Sequence, residues 1–348
     1  MSNLTAVRVH GNSKDSPAKI VFTGSKICGS GRFSNVYSTM MIVPEEMRVA
    51  IKNVWSTTED ARMQTEDCAE VQILSKLYHP AIANLLYYFT RDGDTESQKL
   101  HCLVLDFMPA DMAKLRESGV KFDVLDAKVY SYQLFSAIAY LSSKNVVHMD
   151  VKPNNIVINH ETGLLKLADF GNARRLDSEE RRGPSYQVTR FYRPPELLFG
   201  CEHFTCAIDV WSVACVSFEF IANSTLFKAR STADQISLLI DVFGYPSDDD
   251  IKGMKIRRPR VGRKKARTIE KFTSNILDSV MYEMLNKTLV YNPTKRLSAD
   301  EVLALPFYDA VRMRPPLKRS NGGSVPEIIV TYLQKKLAER LGNSREAH

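Results

Sequence analysis

Short β-branched and aromatic runs broken by turn residues occupy the first hundred positions, and a 3.6-residue apolar period replaces them further on. Ile20 to Phe22, Val36 to Val43 and Val49 to Trp55 are β-rich runs separated by Gly- and Pro-containing turns, which predicts the first strands of an antiparallel meander. Thr58 to Leu77 carries Ala69, Ile73, Leu74 and Leu77 at helical spacing and stops before His79-Pro80, so one long helix is expected there. Leu85 to Phe89 and His101 to Phe107 predict two more strands around a polar hairpin. Beyond Pro109, the stretches Val124 to Ser142, Ile208 to Ala222, Thr232 to Phe243 and Asn275 to Leu289 each show the helical period. The change near Met108 predicts an α+β chain: a small antiparallel-sheet lobe with one main helix over residues 20–108, then a larger, mainly helical lobe over residues 109–312. Residues 1–19 mix Ser, Asn, Gly and Lys without a sustained period and are expected to form a flexible leader. In the tail, 313–348, Ser324-Val-Pro-Glu327 has capping-box spacing ahead of Ile328, Ile329, Tyr332, Leu333, Leu337 and Leu341, with Gly342 as a stop. It predicts a terminal amphipathic helix, docked on the body or offered to a partner.

A chain of 348 residues is long enough for about two compact units, and 44% hydrophobic with 25% charged residues is ordinary globular usage. No run approaches the ~18 apolar residues of a membrane span, and no signal-like stretch opens the chain. A soluble intracellular monomer, in cytoplasm or nucleus, is the expectation. The six cysteines form no Cys-x-x-Cys pair or zinc-spaced cluster, so reduced thiols are expected. The net charge of +7 is a local matter: Lys252 to Arg267 holds nine basic residues and no acidic one, which leaves the remainder slightly acidic.

Three constellations carry chemistry. Gly29-Ser-Gly31-Arg-Phe33-Ser34-Asn-Val36 lies between two expected strands, which disfavours a dinucleotide-fold reading. A plain Gly-rich turn fits, and so does a hairpin whose bare amides approach phosphates while Phe33 covers them from water. Lys52 is the one charge in the apolar strand Val49-Ala-Ile-Lys; it either snorkels to the surface or pairs with Glu70 in the following helix to hold its ammonium toward an anion. The strongest block is His148-Met-Asp-Val-Lys-Pro-Asn-Asn155, followed by Asp169-Phe-Gly171. Asn155 and Asp169 are hard oxygen ligands for Mg²⁺, Asp150 can orient a hydroxyl and take its proton, and Lys152 can neutralise a transferring anion.

In this order the motifs resemble those of the eukaryotic protein kinases, from the Gly-rich loop through Pro194-Pro-Glu196 to Arg296. The resemblance implies a bilobal kinase fold and transfer of the γ-phosphoryl of ATP, with Mg²⁺, to Ser/Thr of protein substrates. By the same likeness Cys28, Gly29, Gly31, Val36, Ala50, Lys52, Leu105 (the gatekeeper), Asp106 and Met108 (the hinge), Asp111 (toward the ribose) and Val157 would bind the nucleotide. Glu196 would pair with Arg296, and Asp209 would brace the catalytic loop. Val188-Thr-Arg-Phe-Tyr-Arg-Pro-Pro-Glu196 and Val242-Phe-Gly-Tyr-Pro246 resemble the cyclin-dependent, mitogen-activated and glycogen synthase kinase group. Leu164 to Arg174 and Glu196-Leu-Leu-Phe-Gly200 look most like a divergent glycogen synthase kinase 3. A kinase-shaped scaffold with little turnover is the alternative.

Departures from that pattern are as informative. The three basic positions with which such kinases hold a phosphate already on the substrate correspond to Ala69, Met149 and Arg174, so two charges are gone and no dependence on primed substrates is expected. Pro184 stands where related kinases carry an activating Thr; Tyr186 is the remaining regulatory position, with Arg190 and Arg193 as partners for a phosphotyrosine. Val188 and Thr189 are expected to face the substrate, with strained backbone at Val188 and its carbonyl taken by Arg193, which would favour proline after the acceptor. The basic segment Lys252 to Arg267 is open to three readings: a solvated insert, a site for an acidic protein partner, and, since no aromatic residue interleaves it, least of all a nucleic-acid site.

Overall fold

A computed structural model describes residues 2–10, 15–31, 34–55, 65–92, 99–176, 188–274 and 276–327. The chain divides into two units, Met1–Pro109 and Ala110–His348.

The first unit is a closed antiparallel barrel. Its strands are β1 (Ser2–Arg8), β2 (Pro17–Ser30), β3 (Ser34–Val43), β4 (Met47–Trp55), β5 (Leu85–Asp92) and β6 (Lys99–Asp106), with one helix, α1 (Ala69–Leu74), between β4 and β5. Around the barrel the order is β1-β2-β3-β4-β6-β5, and β1 closes it by pairing with β2 on one side (Ser2↔Phe22 to Val7↔Pro17) and β5 on the other (Val7↔Tyr88). Alternation supplies the interior: Ala6, Ile20, Phe22, Met41, Val49, Tyr87, Phe89, Cys102 and Val104 form one apolar cluster. Strand β6 is buried on both faces from His101 to Leu105, which is why it reads as a continuous apolar run rather than an alternating one.

Two expectations change here. The leader is not loose over its first residues, since Ser2–Arg8 form β1 and Leu4 and Ala6 pack on the barrel core; a seven-residue strand with two apolar contacts leaves little trace in composition. Of the long helix expected over 58–77, residues 58–64 lie outside the described residues; in the remainder the helix is Ala69–Leu74, preceded by a 3₁₀ turn at Thr65–Asp67. Thr65 Oγ1 sits 2.6 Å from Thr90 Oγ1 and 2.9 Å from His101 Nδ1, bonds that tie this stretch to the sheet instead of to a helical turn.

In the second unit, short strands β7 (Ala110–Asp111), β8 (Val146–Val147), β9 (Ile156–Asn159), β10 (Leu164–Leu167) and β11 (Arg174–Arg175) pair as β10-β9-β7 and β11-β8. The helices are α2 (Met112–Glu117), α3 (Val124–Ser143), α4 (Pro195–Leu198), α5 (Ala207–Ala222), α6 (Thr232–Phe243), α7 (Asp248–Gly253), α8 (Ile269–Phe272), α9 (Ser279–Thr288), α10 (Ala299–Leu303) and α11 (Asp309–Arg312). Helix α3 is buried on nearly every side between Asp126 and Leu141, as a central helix must be. Of the helix expected over 275–289, residue 275 lies outside the described residues; α9 begins at Ser279, because the Asp278 side chain accepts from Met281 N at 2.7 Å and caps the first turn.

Two buried ion pairs lock this unit. Arg296 donates from Nη1 and Nη2 to the two Glu196 carboxylate oxygens at 3.0 and 2.9 Å, the pair the resemblance implies. Arg319 has no counterpart among the expectations: its Nε donates to Asp126 Oδ1 at 2.7 Å and its Nη2 to Tyr130 Oη at 2.7 Å, with the guanidinium over the Tyr130 ring. The tail is therefore packed on α3 well beyond residue 312; the amphipathic helix expected from Ile328 lies outside the described residues. The basic segment is exposed and partly anchored, through Arg258–Asp248, through Lys264 and Arg267 to Asp241, and through Arg263 over the Tyr245 ring. Among the described residues Lys252, Lys255, Arg257, Arg260 and Lys265 form no ion pair. No described helix is long and apolar enough to cross a membrane, and none of the six cysteines is in a disulfide.

Candidate active site

In the first unit the expected nucleotide residues lie on neighbouring strands. Val36 of β3 stands opposite Gly29 of β2 and Lys52 of β4, and Ala50 stands opposite Leu105 of β6. Cys28 Sγ donates to Val36 O at 3.4 Å. The loop between β2 and β3 closes with Gly31 N donating to Ser34 O at 2.8 Å; Phe33 lies outside the described residues. At Gly29 and Gly31 an added Cβ would meet its nearest neighbours at an ordinary 3.6 Å, so nothing within the chain excludes a side chain there. Bare glycine at such positions suits close approach of a ligand to the backbone.

Lys52 is buried, and its Nζ donates to both carboxylate oxygens of Glu70 at 2.7 Å, which excludes the snorkelling alternative. A strand residue and a helix residue thus hold a desolvated charge pair, costly unless the ammonium has anionic work to do. At the end of β6, Asp106 N donates to Asn84 O at 3.2 Å, and Asp106 Oδ2 accepts from Asn84 N and Nδ2 at 3.0 and 2.9 Å. The Asp106 amide is thus spent on Asn84.

In the second unit the catalytic block folds into one hydrogen-bonded knot. Asp150 Oδ2 accepts from Lys152 Nζ at 2.6 Å and Asn155 Nδ2 at 3.1 Å, while its Oδ1 accepts from Thr189 Oγ1 at 2.6 Å. Asn155 Nδ2 also donates to Asp150 O at 2.8 Å. Both partners of that nitrogen are acceptors, so the amide orientation is fixed and Oδ1 is the atom left for a cation. Asp169 follows Ala168, whose N donates to Asn155 O at 2.8 Å. Met149 and Asp169 both adopt left-handed backbone, φ 66° and 63°, which non-glycine residues rarely accept. Beneath, Asp209 accepts from His148 N at 2.6 Å and Met149 N at 3.0 Å. Burial pushes its carboxyl up from the usual range, against the opposing pull of His148 and those two amides.

Among the described residues no group of three or more His, Cys, Asp or Glu could enclose a metal. Asn155 with Asp169 nevertheless fits Mg²⁺, which takes one or two protein oxygens and completes its shell with phosphates and water. Asp111 and Val157 lie opposite each other on β7 and β9, but the Asp111 carboxylate is engaged locally, capping α2 through Lys114 N at 2.9 Å.

Arg193 donates from Nε and Nη2 to the carbonyl of Val188 at 2.9 and 2.7 Å. Burial, and after it the nearby Arg190, lower its pKa. The strained angle expected at Val188 turns on Gln187, which with Pro184 and Tyr186 lies outside the described residues. Arg190 Nη1 donates to Arg230 O at 2.7 Å, and Arg174 is half-buried on β11. Sequence reasoning missed the surroundings of Met149: its side chain is 1% exposed and shares an apolar cluster with Val147, Val188, Leu197, Phe204 and Ile208. The only signal was the absence of the expected arginine.

Residues 22–308 match the protein kinase domain family. The chain is 56% identical over 320 residues to gskl-1 of Caenorhabditis elegans, named for a serine/threonine-protein kinase, covering 92% of this chain and 88% of that one. It is 34% identical over 300 residues to the protein kinase gsk3 of Schizosaccharomyces pombe and 35% identical over 304 residues to gsk31 of the same yeast, each alignment covering 84% of this chain and 76% of the relative. The chain belongs to the protein kinase family. Within it, it is an ATP- and Mg²⁺-dependent serine/threonine kinase of glycogen synthase kinase 3 type.

Proposed function

We propose that this kinase is proline-directed and does not depend on primed substrates. Support for the first half comes from one observation, the double donation of Arg193 to the Val188 carbonyl. A carbonyl has two lone pairs, and both are taken. A peptide residue following the acceptor then finds no partner for its N–H, a loss that proline, lacking one, does not suffer. Support for the second half is the replacement of two phosphate-holding charges by Ala69 and by Met149, whose side chain is turned into an apolar cluster.

In the transfer itself, the acceptor hydroxyl replaces the Thr189 hydroxyl as a donor to Asp150, which takes its proton as the new P–O bond forms and the bond to the ADP oxygen breaks. Lys152, held on Asp150, neutralises the migrating group. Lys52, fixed by Glu70, binds the nucleotide phosphates, and Mg²⁺ on Asn155 and Asp169 would offset their charge. The unpaired basic residues between Lys252 and Lys265 form a surface for an acidic protein segment.

The test is turnover on four matched peptides, Ser-Pro and Ser-Ala, each with and without a downstream phosphoserine. A higher kcat/KM for Ser-Pro with no gain from the phosphate is expected. Equal turnover of Ser-Pro and Ser-Ala refutes the first half, and a tenfold or larger gain from priming refutes the second.

A further inference from the structure

We infer that Arg319, in the tail, is a positioning residue for the metal pair: it braces the turn of the β9–β10 hairpin, whose open end sets the spacing of Asn155 and Asp169. The inference rests on those two residues holding Mg²⁺ and adds a distant side chain to what keeps them in place.

The hairpin links the two proposed ligands. Strand β9 starts directly after Asn155, and β10 ends two residues before Asp169. The ladder runs from Leu164↔Asn159 near the turn to Leu167↔Ile156 at the open end, and Ala168 N donating to Asn155 O at 2.8 Å adds a last rung. A one-residue slip in this register would move Asp169 relative to Asn155 and turn the strand side chains to the opposite face. Sheet support is thin: among the described residues β9 gains a second neighbour only from β7, at Ala110 and Asp111. A two-stranded hairpin alone is marginal in water, so its turn needs other anchors.

Tail residues supply them. Arg319 Nη2, which donates to Tyr130 Oη at 2.7 Å, also lies 3.2 Å from His160 Nδ1, and Tyr130 Oη lies 2.8 Å from the same nitrogen. Arginine has no acceptor, so His160 Nδ1 carries a lone pair and accepts. Burial lowers the pKa of His160, which favours that neutral ring. Asn321 Nδ2 donates to His160 O at 2.8 Å. At Gly163 an added Cβ would stand 2.8 Å from Arg319 Nη1, so the bare turn leaves the guanidinium its place. From α3, Gln133 donates to Gly163 O at 2.9 Å and accepts from Leu165 N at 2.7 Å, fixing the first residues of β10.

This role is separable from the ion pair. Replacing Arg319 and Asp126 together by apolar residues removes both buried charges, so the fold loses little, while the turn loses its brace.

The experiment compares full-length wild type with the double variant Arg319→Met/Asp126→Leu, with Asn321→Ala and with Asn155→Ala. Mn²⁺, which shares the oxygen-ligand chemistry of Mg²⁺, is titrated by electron paramagnetic resonance in the presence of a non-hydrolysable ATP analogue. Amide exchange across residues 156–168, peptide KM and thermal midpoint are measured beside it. The double variant should melt near the wild type and keep its peptide KM within twofold, while exchange across the hairpin speeds up by about tenfold or more. Its Mn²⁺ binding should weaken by about fivefold, short of the tenfold or more that losing a direct outer-shell partner of a metal site costs. Asn321→Ala, exposed and outside the ion pair, should show the same two changes in smaller measure, and it decides the matter if the double variant does not fold. Unchanged exchange overturns the inference. So does faster exchange with Mn²⁺ affinity within twofold of wild type, which would mark Arg319 as support for the fold only. Asn155→Ala separates the two readings: unchanged Mn²⁺ binding there removes the metal assignment and this inference with it, whereas a loss there without one in the double variant removes the inference alone.

Discussion

Replacing Arg193 with Met should erase discrimination at the position after the acceptor, and by a definite route. In the wild type, Nε at 2.9 Å and Nη2 at 2.7 Å fill both lone pairs of Val188 O. A Ser-Ala peptide then strands an N–H, at roughly 1–3 kcal/mol for an unsatisfied donor, while Ser-Pro loses nothing. At about 1.4 kcal/mol per factor of ten, the kcat/KM ratio of Ser-Pro to Ser-Ala should be about 5 to 150. Methionine keeps the apolar stem of the side chain but removes all five donors, which frees the carbonyl for the peptide N–H. The ratio should fall to about 2 or less, and it must fall because Ser-Ala turnover rises. Arg193→Lys, with a single ammonium that lacks the planar fork, should give an intermediate ratio. The assay is steady-state kinetics on the two peptides for all three enzymes, with thermal melting as the check on folding. An Arg193→Met enzyme that keeps the wild-type ratio, or lowers it solely by losing Ser-Pro turnover, refutes the carbonyl-occupancy mechanism.

Lys52→Met should cost at least about a hundredfold in kcat, since the charge fixed by Glu70 is gone and Glu70 is left buried and unpaired; radiolabelled phosphate transfer measures it, and a loss below tenfold would deny Lys52 its role. Arg319→Met should destabilise the protein by about 3–5 kcal/mol, because Asp126 would remain as an uncompensated buried charge, and Arg319→Met with Asp126→Leu should recover most of that; denaturant titration of both variants decides, and a single variant within 1 kcal/mol of wild type would mean that the tail is not held there. Changing Arg257, Arg260 and Lys265 together to Ser should weaken binding of an Asp/Glu-rich peptide by about threefold or more at low salt, from roughly 0.2–1 kcal/mol per exposed charge contact, and should flatten its salt dependence; unchanged affinity by fluorescence anisotropy would leave the segment a solvated insert.

The Asp150 block was legible as a folded unit because its residue types stand at fixed short spacing. Asp150, Lys152 and Asn155 lie within six residues, and a turn that satisfies its own polar groups brings them together with little outside help. Lys52 and Glu70 were legible for another reason: a lone charge in an apolar strand demands a partner, and the next helix offers one. What escaped has no local signature. Arg319 and Asp126 are 193 positions apart, and nothing in a Lys-Arg-Ser-Asn stretch says that its arginine will be buried. The helix was overread at its described start because the apolar spacing from Ala69 to Leu77 does not say where the helix begins, whereas Thr65 is held by β5 and β6 in side-chain bonds that periodicity cannot register. Strand β1 was underread because only Leu4 and Ala6 pack on the barrel core.

The losses and the retentions in this chain follow one electrostatic logic. Charges proposed to serve the transfer lie in a bonded frame, Lys52 on Glu70 and Lys152 on Asp150, with Asp209 beneath two amides of the catalytic loop. The charges replaced by Ala69 and Met149 are those whose partner would be a phosphate from outside the active chemistry, on the substrate or on the kinase itself. An isolated cation kept at either place would have to be hydrated or paired, and Met149 lies where hydration is excluded, among Val147, Val188 and Leu197. Where no external phosphate pairs with it, folding favours an apolar side chain at position 149, and Met149 adds to the core beside Asp150. Restoring arginine there should therefore not restore phosphate reading: with Ala69 still in place, Met149→Arg should lower stability and activity together, and a primed peptide should bring neither back.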